Sequence, residues 1–467
     1  MNALVSPDHR IRLIGAASVA PIAPELEAVF VGEAAASPAF GAAASAVVAA
    51  AALGFSPAEG DTSLNGLPLA FTDVGSFVAA FPDDDSWLAR AVRDYFAAGG
   101  LRAWVVRVAV DQAAPLDAYV SASPPVLATQ PLSAIAIAAQ APSAGLLVLP
   151  DLEQACLAAA APAPPLPSTP PPDMSVFRPA KDFVDPTPSS AATKLQAAQA
   201  PTAPIAPFDV LKRVSAALAV LRPDMIGLFA LPVGADPTLS QPALAKRAVA
   251  YVHGAVAPNP ATDLPHVQAL APLVMDASGE IATPSGLVAG LLCAAAQTDG
   301  VWRSVAGRSL PLGVTPVRPI ESNALAELRK SGIVALRFVQ GGTILDDDIM
   351  ACWQNFPGSA QRRAAGGRRL IGWLIRNLQS FGEQLVFENV LDDGRVELVL
   401  TSLFAELFKR GALAGGQVSD AVRITRRELH VPNAYAFDIA VATVSAVETI
   451  RLQFLDGVLT STSGAAA

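Results

Sequence analysis

The sequence is short of charge, of histidine and of cysteine, and each shortage removes a class of function. Asp, Glu, Lys and Arg make up only 16% of the 467 residues, against 52% hydrophobic residues, many of them alanine. So little charge is unusual for a soluble monomer and ordinary for a subunit that buries its surface against copies of itself. The net charge of −9 leaves no basic stripe to displace counterions, so no nucleic-acid partner is expected. Cys156, Cys293 and Cys352 are far apart and odd in number, which excludes a disulfide framework and suggests reduced, cytosolic synthesis. The four histidines, His9, His253, His266 and His430, have no second histidine or cysteine at ligand spacing, so no metal site is expected. The opening "MNALVSPDHRIRLIG" lacks the apolar core of a signal peptide. The alanine-rich run "AFGAAASAVVAAAALGF" at 39–55 is too short and too weakly apolar to span a bilayer, which takes ~20 strongly apolar residues. It reads as a buried or interfacial helix, with no membrane insertion.

What the sequence does contain is an α/β pattern. "AVFVGE" (28–33), "LRAWVVRVAV" (101–110) and "GLLVLPD" (145–151) read as strands, the second nearly all apolar, as in a strand covered on both faces. Between the first two, "DDDSWLARAVRDYFAAGG" reads as a helix capped by Asp85 or Ser86. Trp87, Ala91, Val92, Tyr95 and Phe96 lie on one face, and Gly99 gives the left-handed stop. Prolines dominate about 157–206, an exposed excursion. The pattern then resumes with "FDVLKRVSAALAVL" (208–221) as helix and "MIGLFALP" (225–232) as strand. Beyond about 320, "ESNALAELRKSGI" reads as a helix and "VALRFV" as a strand. "RRLIGWLIRNLQSFG" (368–382) and "RVELVLTSLFAELFKRGAL" (395–413) are long amphipathic helices, and "AVETIRLQFLDG" is a strand before a loose tail.

Catalytic signatures do not emerge. Ser285 in "ATPSGLVAG" is not in a G-x-S-x-G elbow. "GALAGGQVSDA" lacks the Lys-Ser/Thr of a phosphate loop. Asp83–Asp85 reads as a helix N-terminus and Asp346–Asp348 as a solvated turn rather than cation sites. The basic cluster "QRRAAGGRRL" reads as a solvated face, or as a docking surface for an acidic partner. No catalytic residue, cofactor or metal is therefore assigned.

Several segments, in order, resemble the tail sheath proteins of contractile phage tails and contractile injection systems. They are "AVFVGEA", "LPLAFTDVGSFVAAFP", "LARAVRDYFAAGGLRAWVVRV", "ATPSGLVAGLLCAAAQTDGVWRSVAG", "ALAELRKSGIVALR", "RRLIGWLIRNL" and "VFEN". The likeness spans about 28 to 455 with gaps at the proline-rich insertion. Two features depart from the family: "HRIRLIG" stands in place of its Pro-Gly-Val-Tyr opening, and "VQGGTILDDD" in place of its Gly-Ala-Arg-Thr loop.

The resemblance implies an α/β fold, α+β in its C-terminal part. The expected parts are an N-terminal arm (1–27), an outer sheath-type domain (28–320) with the insertion at about 157–206, an inner domain (321–455) and a flexible tail (456–467). The inner domain would hold two long helices and a small sheet completed by arms from neighbouring subunits. The implied function is a subunit polymerising as stacked six-fold rings around an inner tube, assembled in the cytoplasm into a phage tail or tail-like particle. Implied partners are other copies, the inner tube protein, and baseplate and cap proteins. Strand exchange is expected at Arg10, Ile11, Arg12, Leu13 and Ile14, and at Glu448, Ile450, Arg451, Leu452, Gln453 and Phe454. Arg368, Arg369, Arg376, Lys409 and Arg410 are expected to face the tube. The alternatives are a non-contracting baseplate or cap ring and, further off, an α/β hydrolase-like enzyme using Ser285.

Overall fold

Strand β1 (Glu27–Gly32) is buried along its whole length, and alternate side chains enter two different cores. Ala28 and Phe30 face one, Val29 and Val31 the other. That is the behaviour of a strand inside a sheet covered on both sides. The computed structural model describes residues 26–33, 39, 41–57, 59, 61–82, 85–108, 115–121, 133–160, 205–234, 236, 238–276, 279–311, 313–388, 393–428, 435–443, 447–455 and 458–465.

The strands that follow are β2 (Pro68–Phe71), β3 (Ala103–Arg107), β4 (Ala144–Val148), β5 (Ile226–Ala230) and β6 (Val267–Ala271). Next come the two-residue β7 (Val274–Met275), β8 (Ile281–Ala282) and β9 (Thr315–Pro316), then β10 (Ile333–Val339) and β11 (Gly342–Leu345). The last are β12 (Val422–Glu428), β13 (Tyr435–Ala442), β14 (Val447–Leu455) and β15 (Val458–Ala465). The large sheet has the order β11-β10-β6-β5-β4-β1-β3-β2. Its six central strands are parallel, and β2 and β11 close the two edges antiparallel. The short β7, β8 and β9 form a second sheet, and β12 to β15 a third.

The large sheet takes strands from both sides of the expected boundary near residue 320. β10 pairs with β6 and β11 with β10, so residues 333–345 build the large sheet. The apolar cluster on one face of that sheet also runs unbroken into the C-terminal part. It joins Phe30 and Leu146 to Trp373, Leu374, Leu400, Phe404, Phe437 and Ile439. β4 and β5, on either side of the proline-rich stretch, pair with each other, and 161–204 lie outside the described residues. The tail is not loose: residues 458–465 form β15, paired along its length with β14.

Helix Trp87–Ala97 begins at Ser86, whose side chain accepts from the Ala89 N–H at 3.1 Å. Of the two candidate caps it is the one used. The double glycine behind this helix has two separate causes. Gly99 sits at φ 99°, where a Cβ is strained. A Cβ on Gly100 would lie 2.2 Å from the Tyr95 ring. That ring is fully buried, and its hydroxyl donates to the Arg102 carbonyl at 2.7 Å, tying the helix to the start of β3.

Helix Ser285–Asp299 lies alongside it in the same direction, Gly286 against Ala91, Gly290 against Tyr95 and Ala294 against Gly99. A Cβ on Gly290 would stand 2.2 Å from the Tyr95 carbonyl oxygen, so the two backbones touch. We expect Gly290→Ala to destabilise the fold by about 1–3 kcal/mol through overpacking. Urea unfolding followed by circular dichroism measures this; an unchanged midpoint would show that the helices can part at no cost.

Candidate assembly surfaces

Helix Ala365–Glu388 carries three of the five arginines and lysines expected to face a tube, and the side chains of two of the three, Arg369 and Arg376, are buried within the chain. Arg369 forms a bidentate pair with Asp348, at 2.9 and 2.6 Å, and both side chains are only 2% exposed. Gln268 of β6 donates to the same carboxylate at 3.0 Å. Arg369 also donates to the carbonyls of Val301 and Arg303, both at 3.0 Å. Burial would raise the Asp348 carboxyl, but the Arg369 guanidinium outweighs it and holds the group below the usual carboxylate range.

Two turns further on, Arg376 reaches Asp224 at 3.1 Å, where Arg222 makes a second bidentate contact at 2.8 Å. Burial pulls the Arg376 pKa down, and Asp224 pushes back. Arg368, half-buried, donates to the Pro223 carbonyl at 3.1 Å and meets the His266 ring at 3.0 Å. Burial and that cation push His266 down to about 4, so the ring is neutral near pH 7 and accepts. Arg368, Arg369 and Arg376, expected to face a tube, are thus engaged by groups of this chain. Lys409 and Arg410 are exposed, Arg410 bonded to Glu406 at 3.0 Å.

The cluster at 362–369 is likewise no solvated face. Arg362 pairs with Asp263 at 3.0 Å, and Arg363 donates to the Lys330 carbonyl at 3.1 Å. Nor is Asp346–Asp348 a solvated turn: Asp346 is buried against Arg337 at 2.7 Å, and Asp348 against Arg369. We expect Arg369→Met to cost about 3–5 kcal/mol, because it strands a buried carboxylate. Adding Asp348→Leu should recover part of that loss in the same denaturation assay. A single variant as stable as the parent would show that Asp348 finds water instead.

The small sheet is formed within the chain, in the order β12-β13-β14-β15. Glu448, Ile450, Arg451, Leu452, Gln453 and Phe454 belong to β14, which pairs with β13 on one side and β15 on the other. The expected exchange strand is thus an interior strand here, and the edges are β12 and β15. On β12, Arg423, Thr425, Arg426 and Arg427 are exposed. Arg10, Ile11, Arg12, Leu13 and Ile14 lie outside the described residues.

Ser285 is fully buried, with its Oγ 2.8 Å from Glu153 Oε2. Glu153 Oε1 accepts from the Ala230 N–H at 2.7 Å. Nothing there presents a nucleophile to a substrate. Burial pushes the Glu153 carboxyl up to about 8. Its proton is held more tightly in the folded chain than at the ordinary 4.5. The stability it contributes is complete below that value and is lost as pH rises towards 8. Glu153→Gln should flatten the unfolding midpoint between pH 5 and 8; profiles of equal slope would remove Glu153 as the cause.

Among the described residues, no three His, Cys, Asp or Glu side chains gather to hold a metal ion, and no helix is long and apolar enough to cross a membrane. A cavity of about 570 Å³ does open where Ser285–Asp299 ends, beside helix 365–388 and the end of helix Asp393–Lys409. Its lining includes Asp299, Trp302, Arg303, Arg308, Trp373 and Arg410. Sequence reasoning singled out Arg410 alone, since these residues come together from three separate segments.

No family model matches the sequence, and no curated protein matches it. Solved structures do. A chain of the six-fold symmetrised baseplate of the anti-feeding prophage (AFP) aligns with 90% of this chain and 90% of its own, at 17% identity and a TM-score of 0.55. The AFP helical sheath in its contracted state aligns over the same shares, at 16% identity and 0.53. The contracted sheath complex of PVC, an extracellular contractile injection system, covers 90% of this chain and 88% of its own, at 14% and 0.52. At such identities the correspondence is one of fold. The chain has the fold of the sheath proteins of contractile injection systems.

Proposed function

We propose that this chain is a structural subunit of a contractile sheath, which stacks as six-fold rings around an inner tube and contracts to drive that tube through a target envelope. The observation that carries this reading is the length of the match. Contracted sheath chains align with nine-tenths of this chain and with a similar share of their own. The surface supports it. Val48 is 69% exposed, Leu398 65% and Phe338 60%, apolar side chains that a subunit would cover against its copies. β12 and β15 leave unpaired backbone groups at the edges of the small sheet, to which a neighbour's strand can add. The partners are other copies, the tube protein, and baseplate and cap proteins, with assembly in the cytoplasm of the producing cell. Of the five cations expected to face the tube, Lys409 and Arg410 are the exposed ones. The work of contraction is stored at assembly as a difference between two sets of interfaces, and no catalytic group is needed.

A specialised ring is the second reading, and the match to an AFP baseplate chain favours it. Negative-stain electron microscopy of the purified protein, alone and with its tube protein, separates the two. Hollow cylinders of six-fold rings are expected for a sheath, and isolated rings for a baseplate or cap. Monomers under every condition would overturn both.

A further inference from the structure

The cavity at the end of helix Ser285–Asp299 is more basic than the chain around it. The chain carries a net −9, yet the lining holds Arg303, Arg308 and Arg410 against the single carboxylate of Asp299. Arg308 pairs with Asp299 and Arg410 with Glu406, whereas Arg303 is exposed and no carboxylate lies within ion-pair distance of it among the described residues. Its turn is fixed from beneath, because buried Arg369 holds the Val301 and Arg303 carbonyls. The indole N–H groups of Trp302 and Trp373, both lining residues, have no acceptor among the described residues. Arg303 already acts on Asp299 at longer range, but a pre-set turn, a guanidinium without a close ion pair among the described residues and a walled cavity together suit a carboxylate.

Where that carboxylate comes from follows from the helix pair. Trp87–Ala97 and Ser285–Asp299 run parallel, so the cavity lies at their C-terminal end, and Asp85 lies at their N-terminal end. The two are separated by a helix of 15 residues, about 22 Å at 1.5 Å per residue. The Asp85 side chain is 98% exposed and forms a long ion pair with Arg93 at 3.7 Å. A group at one end and its complement at the other cannot meet within one chain. They meet when copies pack head to tail, the heterologous contact that generates rings or helices.

We propose that this cavity receives the Asp85 carboxylate of a second copy of the chain, with Arg303 as its main partner. The choice of partner rests on the sheath reading. The test uses a fluorescein-labelled peptide with the sequence of residues 79–86 and measures its polarisation against the full chain. Binding is expected, weakened about ten-fold in Arg303→Glu, the loss of one charge-assisted contact, and weakened by added salt. Arg303 is exposed, so the variant should fold, and Arg303→Gln serves as a second, milder change. In assembly assays, Arg303→Glu and Asp85→Arg should each impair polymerisation, and the two together should restore it. A peptide that does not bind, or binds Arg303→Glu as tightly as the parent, overturns the inference even if cylinders form. A double variant no better than either single one also overturns it. Peptide binding that depends on Arg303, in a protein that forms no rings or cylinders, would support the cavity's specificity and count against the sheath reading instead.

Discussion

One buried ion pair holds three parts of the chain in register. Asp348 follows the edge hairpin of the large sheet, and its carboxylate is reached by Gln268 from a central strand and by Arg369 from a C-terminal helix. The same guanidinium fixes the turn at 301–303. Charges removed from water this completely are costly unless every lone pair and proton is used, and here nearly all are. The pair is therefore less a source of net stability than a constraint on geometry. The C-terminal helix can dock in one register, because a shift of even one residue would strand both charges.

Arg376 and Asp224 repeat the arrangement two turns along the helix. Between them the interface is apolar, with Trp373 fully buried against the sheet-side cluster. Two polar pins and a packed strip tie the large sheet to the C-terminal helices. The parallel helix pair adds stiffness on the same face, where Gly290 lets two backbones meet. A chain built this way is stiff as a whole, with its register fixed by polar pins and a packed apolar strip.

The strands of the large sheet were legible because a fully buried strand is written as an unbroken apolar run. "AVFVGE", "GLLVLPD" and "MIGLFALP" all became central strands. The helix before the double glycine was legible from Ser86 and Gly99. The buried arginines were not. On an amphipathic pattern, Arg369 and Arg376 read as the wet face of their helix, and Asp224, a distant partner in sequence, gives no local sign of the pairing. β15 escaped notice for the opposite reason. "VLTSTSGA" has no apolar alternation, and its pairing is by backbone. The cavity was invisible for want of any motif, since its lining is gathered from separate helices and a turn.

The position of β14 has a consequence for how such chains would join. With β12 on one side and β14 on the other, β13 already has every ladder bond it can make. A strand arriving from a neighbour could add without displacement only beside β12 or β15; to pair with β13 it must replace one that belongs to the chain. Such an exchange trades like for like, so it carries little enthalpy in either direction. Its balance would be set by local concentration and by the contacts that bring the strands together. A solitary chain is its own best partner, and crowding at a growing end is what would turn that preference over.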